Sequence, residues 1–222
     1  PENKDTQKLI ATYLGGLKTK KARETYDNVY RGTPKGKVKR TFEREMQTTT
    51  ASNRIQLSGD MAFNLETKTT VSVIGSILNI RYLESIRERE GGSYGVGVYG
   101  TVDNTPTDEA VLLMQFDTDP DKQERLMEII YEEIDEIIAN GPLTDDLRKV
   151  KENLIKQYAQ DIEKNSWWMS TIVQYYDDGI NLLKDYEGVV EKLNANQIQN
   201  TLKALRQQNN VIEIVMMPET DN

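Results

Sequence analysis

Histidine and cysteine are both absent from this chain of 222 residues, and each absence removes a class of chemistry. Histidine is the side chain that titrates near neutrality and the commonest metal ligand. Cysteine supplies the thiolate nucleophile and the soft metal ligand. A Ser-His-Asp triad, a Cys-His pair, a zinc finger and a His-based catalytic zinc site are therefore excluded. Carboxylate chemistry survives: a glycosidase-like acid pair, a magnesium or calcium site, or a nucleophilic Asp. So does a binding part whose reactive centre lies elsewhere. Disulfides are excluded too, without fixing the compartment.

Positive charge is also in short supply. Lys and Arg number 28 against 36 Asp and Glu, a net charge of −8, whereas a nucleic-acid surface needs an excess of basic groups. No apolar run approaches the ~20 residues of a membrane span. What is present, 37% hydrophobic and 29% charged residues, suits a charged globular domain with one good core and an appendage. Pro1-Glu2-Asn3-Lys4-Asp5 leads straight into a helical pattern with no initiator Met and no signal peptide. The chain reads as a piece of a longer polypeptide.

Residues 4–14 read as a short helix, with Leu9, Ile10, Tyr13 and Leu14 on one face and Gly15-Gly16 as its stop. Residues 17–36 are polar and basic, a linker. This divides the chain into residues 1–36, a trailing helix and linker, and residues 37–222, the compact domain. Val38, Phe42 and Met46 mark a first strand. Ile55, Leu57, Met61 and Phe63 alternate as in a half-buried second strand. A helix is expected over 70–90, burying Val71, Ile74, Ile77, Leu78 and Ile86, with Gly91-Gly92 as its end.

Residues 93–102 read as a strand with Tyr94, Val96 and Val98 alternating. Val111-Leu112-Leu113-Met114 is a continuous apolar run, expected of a strand covered on both faces. Helices follow at Leu126–Ile138, after a cap at Thr144, around Trp167-Trp168, and at 182–193 and 198–205. A last strand spans 211–217. Paired strands with short connections point to an α+β domain, a mostly antiparallel sheet with helices layered on one face.

Several motifs fail on context. Gly95-Val96-Gly97-Val98-Tyr99-Gly100 fits G-x-G-x-x-G, but it follows a helix and lies within a strand, the wrong place for a dinucleotide fingerprint. Glycines inside a strand suit close approach of another backbone instead. Asp117, Asp119, Asp121 and Glu128 take calcium-loop positions, but Lys122 stands where the loop needs glycine. Helix capping by these acids is the simpler explanation. Trp167, Trp168, Tyr175 and Tyr176 at helical spacing are expected in the core. No carboxylate pair identifies an acid–base dyad, and no metal ligands are assigned.

One stretch carries more: Leu83-Glu84-Ser85-Ile86-Arg87-Glu88-Arg89-Glu90-Gly91-Gly92-Ser93-Tyr94-Gly95-Val96. It sets Arg87 near a helix end and Tyr94 at the next strand's start, across a glycine turn. Taken alone, a cation at a helix C-terminus and a Tyr in a strand need no function. However, Ile86-Arg87 and Gly92-Ser93-Tyr94, with their spacing, resemble the C-terminal half of zinc metallopeptidases of the pitrilysin/insulinase family, which includes the mitochondrial processing peptidases. The helix-and-turn of residues 9–17, the helix of 74–82, the strand and helix of 117–138 and the Met217-Pro218 ending resemble the same family.

The resemblance implies a zinc-free C-terminal module of a zinc-dependent endopeptidase, inactive alone, with zinc expected in a missing N-terminal half. That half, fused or a separate subunit, would be its partner, and a peptide or protein its substrate. Arg87, Tyr94, Gly95 and Val96 would bind the peptide. The Tyr94 phenol would donate to the oxyanion of the tetrahedral intermediate, a contribution often worth ~10²–10³ in rate. Arg87 would offer its fixed donors to peptide carbonyls or a carboxylate. Residues 93–98 could pair with extended substrate as an added strand. The alternative is a non-catalytic peptide-binding or assembly subunit of the same fold; a carboxylate-based metal enzyme is a third. The compartment is not determined by the chain, and family analogy favours the bacterial periplasm or cell envelope.

Overall fold

The computed structural model describes residues 3–18, 29, 32–89 and 93–219, and for residues 87–89, 93 and 94 the backbone alone. Contacts divide the chain into Pro1–Arg31 and Gly32–Asn222. In the first unit, α1 (Lys4–Tyr13) starts where the Asn3 side chain accepts from the Asp5 and Thr6 amides at 3.1 and 3.3 Å. These bonds satisfy amides that a helix start otherwise leaves unpaired.

The second unit opens with β1 (Lys37–Arg44) and β2 (Ala51–Asp60). Next comes α2 (Leu65–Tyr82), which continues into a π-helical stretch, Leu83–Arg89. It begins five residues before the expected 70, because Asn64 caps it by accepting from the Thr67 amide at 2.8 Å. β3 (Ser93–Asp103) and β4 (Glu109–Thr118) follow, then α3 (Gln123–Asn140) after a 3-10 turn, Pro120–Lys122. Four more helices come next: α4 (Thr144–Asp161), α5 (Asn165–Asp178), α6 (Leu182–Lys192) and α7 (Ala195–Gln207). β5 (Asn210–Pro218) ends the described chain apart from Glu219.

Among the described residues one sheet forms, in the order β1-β5-β2-β4-β3. It is mixed, which corrects the expected mostly antiparallel sheet. β5 returns from α7, inserts between β1 and β2, and runs parallel to β1. The β5–β2, β2–β4 and β4–β3 pairs are antiparallel. A parallel pair needs a long crossover, and here everything between β1 and β5 supplies it.

Side-chain alternation sends one set of residues to each face. Ile55 and Leu57 of β2, Ala110, Leu112, Met114 and Phe116 of β4, and Val98 and Val102 of β3 are buried. They meet Val71, Ile74, Ile77 and Leu78 of α2 and Leu126, Ile130, Ile134 and Ile137 of α3 in one core. The helices thus cover one face. Val111 and Leu113, expected under a second layer, are only half-buried on the other face.

Two further expectations change. In α5 only Thr171 is buried. Tyr175 and Tyr176 are 49% and 80% exposed, so they are not core residues; the Trp168 indole donates to the Ile162 carbonyl at 2.7 Å. The acids of 117–121 make no side-chain cap on the 3-10 turn or on α3.

Candidate functional site

The C-terminal end of α2 is anchored in the core. Tyr82 is 1% exposed, and its hydroxyl donates to the Ile130 carbonyl of α3 at 2.9 Å. Burial raises the phenol pKa well above the ordinary value, with the Glu133 charge adding to it, so this tyrosine stays a neutral donor. One residue earlier, Arg81 Nε donates to Glu133 Oε2 at 2.9 Å. Burial opposes the Arg81 charge, but the Glu133 bond and the attraction of Glu133 and Glu84 outweigh it and raise its pKa. Ile86 is fully buried in the following π-helical stretch. The backbone that carries Arg87 therefore leaves a fixed root.

The strand beyond is fixed as well. Asn79 donates from Nδ2 to the Val98 carbonyl at 2.9 Å, and its Oδ1 accepts from the Val98 amide at 2.9 Å. β3 is an edge strand, and this side chain fills the edge at Val98 as a neighbouring strand would. Gly100 completes the fit: a Cβ there would stand 2.2 Å from the Val71 carbonyl oxygen. The helix can lie against the strand only because that side chain is missing.

Between Ser93 and Val96 the β3–β4 register slips by one residue, a bulge that contains Tyr94 and Gly95. Bulges redirect side chains and end regular pairing. Of the four residues expected to bind substrate, Arg87 and Tyr94 are placed here by backbone only, their side chains lying outside the described residues. Gly95 lines a cavity on the open face. Val96 points the other way and packs against the core, so only its main chain is left for a ligand. The glycine turn at 91–92 lies outside the described residues.

That cavity is the main feature of the open face. It measures about 620 Å³ and is lined by Phe42, Arg54, Gly97, Gln115, Ile214 and Met216 among others. Strand register explains the arrangement. One row across the sheet reads Arg40, Ile214, Arg54, Gln115, Gly97. The row above it reads Phe42, Met216, Ser52, Asp117, and the row below Val38, Ile212, Gln56, Leu113, Tyr99. Gly95 and Gly97 contribute no side chains, so the cavity opens as a notch toward the β3 edge. Apolar groups are left in water here: Phe42 is 48% and Tyr99 57% exposed. A groove with apolar walls and a few polar groups beside an edge strand can take an extended polypeptide.

Sequence reasoning found Gly95 but missed Phe42, Arg54, Gln115, Ile214 and Met216. Their signal was faint: alternate positions in β1, β2, β4 and β5 that mix apolar with polar residues. No His/Cys/Asp/Glu group able to hold a metal occurs among the described residues, and the chain has no His or Cys. Its residues do not fit the zinc site of the family that the sequence resembles. No helix among the described residues is long and apolar enough to cross a membrane.

Comparison with known proteins gives a consistent picture. The family model described as "Peptidase M16 inactive domain" matches residues 2–154. No curated protein matches the sequence. Among solved structures, the chain is similar to the periplasmic protease PqqL from Escherichia coli, with a TM-score of 0.79 and 19% identity over 97% of this chain and 24% of that one. It is similar to the ferredoxin protease FusC, solved as a point mutant in complex with Arabidopsis ferredoxin, with a TM-score of 0.78 and 15% identity over 99% and 24%. A peptidase M16 inactive domain from Pseudomonas fluorescens gives 0.67 and 18% over 86% and 46%. At these identities the likeness is one of fold. The chain spans 24% of the length of the first two.

Proposed function

This chain belongs to the peptidase M16 family as its inactive domain, and we propose that it is the zinc-free, peptide-facing module of a zinc-dependent endopeptidase. Its metal sits in an N-terminal half, fused or separate, that supplies what this chain lacks. The observation that carries the reading is the open sheet face: a cavity of about 620 Å³ that runs out through Gly95 and Gly97 to the edge of β3.

An extended substrate adds to that edge at residues 93–97, since Asn79 already occupies the Val98 amide and carbonyl. Its alternate side chains lean over the notch. Arg87, from the π-helical stretch, and Tyr94, within the bulge, reach the same peptide. The phenol of Tyr94 donates a hydrogen bond to the oxyanion that forms at the scissile carbonyl, and Arg87 holds neighbouring carbonyls. The rigid root at Tyr82 and Arg81 limits how far both can drift. Because the solved relative PqqL is described as periplasmic, the cell envelope is the proposed compartment.

The test is zinc-dependent peptide cleavage by the parent protein and by its Tyr94→Phe variant. A fall of about tenfold or more in kcat, with zinc content and fold intact, supports the role. An unchanged rate removes Tyr94 from the chemistry. A parent that binds peptide but cleaves none favours a non-catalytic peptide-binding subunit, a reading that the family's inactive-domain description also suits.

A further inference from the structure

The arginines whose side chains are described fall into two groups. Arg81, Arg125, Arg148 and Arg206 each face an acidic partner within 4 Å, at 2.9, 3.0, 2.6 and 3.7 Å. Arg40, Arg44 and Arg54 have no acidic partner among the described residues, although the chain carries a net charge of −8. By strand alternation all three stand on the open face. In so acidic a protein, the described guanidinium groups without an acidic partner collect on the sheet face opposite α2 and α3.

We propose that Arg54, with Arg40 behind it, seats the side-chain carboxylate of an Asp or Glu in the extended peptide bound at this face. The inference rests on the peptide-facing reading and adds a preference to it. Arg54 lines the cavity, in the row that ends at Gly97. A strand added beyond β3 lies three strand spacings, about 14 Å, from β2. An extended Arg and an extended Glu together bridge that gap, and the positions between them are Gln115 and Gly97, a flexible amide and no side chain. The Gln115 amide can join the same carboxylate. Arg40 lies two strands further from the edge than Arg54, with Ile214 between them, so it adds field rather than contact.

The surroundings select the group. Asp117 stands at the upper end of the cavity, one row away from the arginine row. Ile214 and Met216, on the next strand back from the edge, flank the stem of Arg54 rather than the bound side chain. Charge-assisted, forked bonds from Arg to carboxylate are about twice as strong as neutral ones. The face continues below the arginine row through Leu113, Ile212 and Tyr99 and above it through Met216 and Phe42. A chain can therefore pass in both directions, which fits a side chain within a peptide rather than a terminal carboxylate.

The experiment titrates the isotopically labelled chain with capped, Val-rich peptides that differ only at a central Glu, Gln or Lys, and follows the amide resonances of β2, β3 and β4. The expected result is binding of the Glu peptide about tenfold tighter than the Gln peptide, with the Lys peptide weakest. Arg54→Gln should bring the Glu peptide to the level of the Gln peptide, while Arg40→Gln costs about twofold. An exposed Arg-to-Gln change leaves the fold intact, which the same spectra report. Equal affinities for the three peptides, or a Glu preference that survives Arg54→Gln, overturn the carboxylate seat and leave the peptide-facing reading standing. If none of the peptides moves resonances of the open face, that reading fails and the seat with it.

Discussion

The two faces of the sheet are made of the same strands and answer to different physics. On the covered face, Ile55, Leu57, Leu112 and Met114 are at most 1% exposed and meet α2 and α3 in one core. On the open face, one residue along in each strand, stand Arg54, Gln56, Leu113 and Gln115, and Arg54 and Gln115 line the open cavity. The backbone hydrogen bonds serve both faces equally, so the difference lies wholly in what packs on the side chains. The lesson is a division of labour: one face sets stability, and the other is free to vary for binding.

The sharpest way to break that comparison is a pair of truncations matched in chemistry. Ile130, fully buried in α3 against the sheet, should cost about 4 kcal/mol as Ile130→Ala, from lost burial and the cavity left behind. Ile214, 39% exposed in β5, should cost under about 1 kcal/mol as Ile214→Ala. Urea unfolding of both variants measures the contrast. Comparable losses would mean that the open face also holds the domain together.

Two glycines of one strand repeat the contrast at smaller scale. Gly100 faces α2, where an added Cβ would sit 2.2 Å from the Val71 oxygen and 2.8 Å from its carbonyl carbon. Backbone cannot yield cheaply, so Gly100→Ala should lower stability by about 3 kcal/mol. Gly97 faces the cavity, and its nearest neighbours would be side-chain atoms of Tyr99 and Gln115 at 3.4 and 3.5 Å. Gly97→Ala should change stability by less than about 0.5 kcal/mol but narrow the notch and weaken peptide binding. Thermal melts of the two variants would separate them; equal shifts would show that the notch is structural.

The covered face was legible in the sequence because burial on one side leaves a period. Ile55 and Leu57 alternate, α2 shows Val71, Ile74, Ile77 and Leu78, and α3 shows Ile130, Ile134 and Ile137; each of these lies in the core. The open face was not legible, because exposed apolar residues in a strand look like buried ones. Val111-Leu112-Leu113-Met114 reads as a doubly covered run, yet Val111 and Leu113 lack a second layer. Tyr175 and Tyr176 mislead in the same way, since spacing says which residues share a face and not whether anything covers it. The parallel β1–β5 pair was hidden too: local pattern carries no record of where a strand far along the chain, after α7, inserts. Arg54 gave no signal, for one charge in an alternating strand is ordinary. Arg87 and Tyr94 stood out only through family resemblance, as nothing in their spacing alone demands a function.

The covered face holds one group that belongs by chemistry on the other. Asp146 in the first turn of α4 is 6% exposed, and its Oδ2 has no hydrogen-bond partner. Burial raises its carboxyl pKa, Arg81 pulls in the opposite direction, and the raised value prevails. A folded-state pKa above the unfolded one means that the native protein binds the proton more tightly. The carboxyl's contribution is therefore most favourable at acid pH and declines as pH rises from about 3.9, the unfolded value, through the raised native one. Asp146→Asn keeps the shape and removes the titration. Its stability relative to the parent chain should rise across that window and then level off. Urea midpoints of the two proteins between acid and neutral pH give the difference directly. Parallel profiles would show that Asp146 is solvated in solution, and that the covered face is wetter at the α4 end than its burial implies.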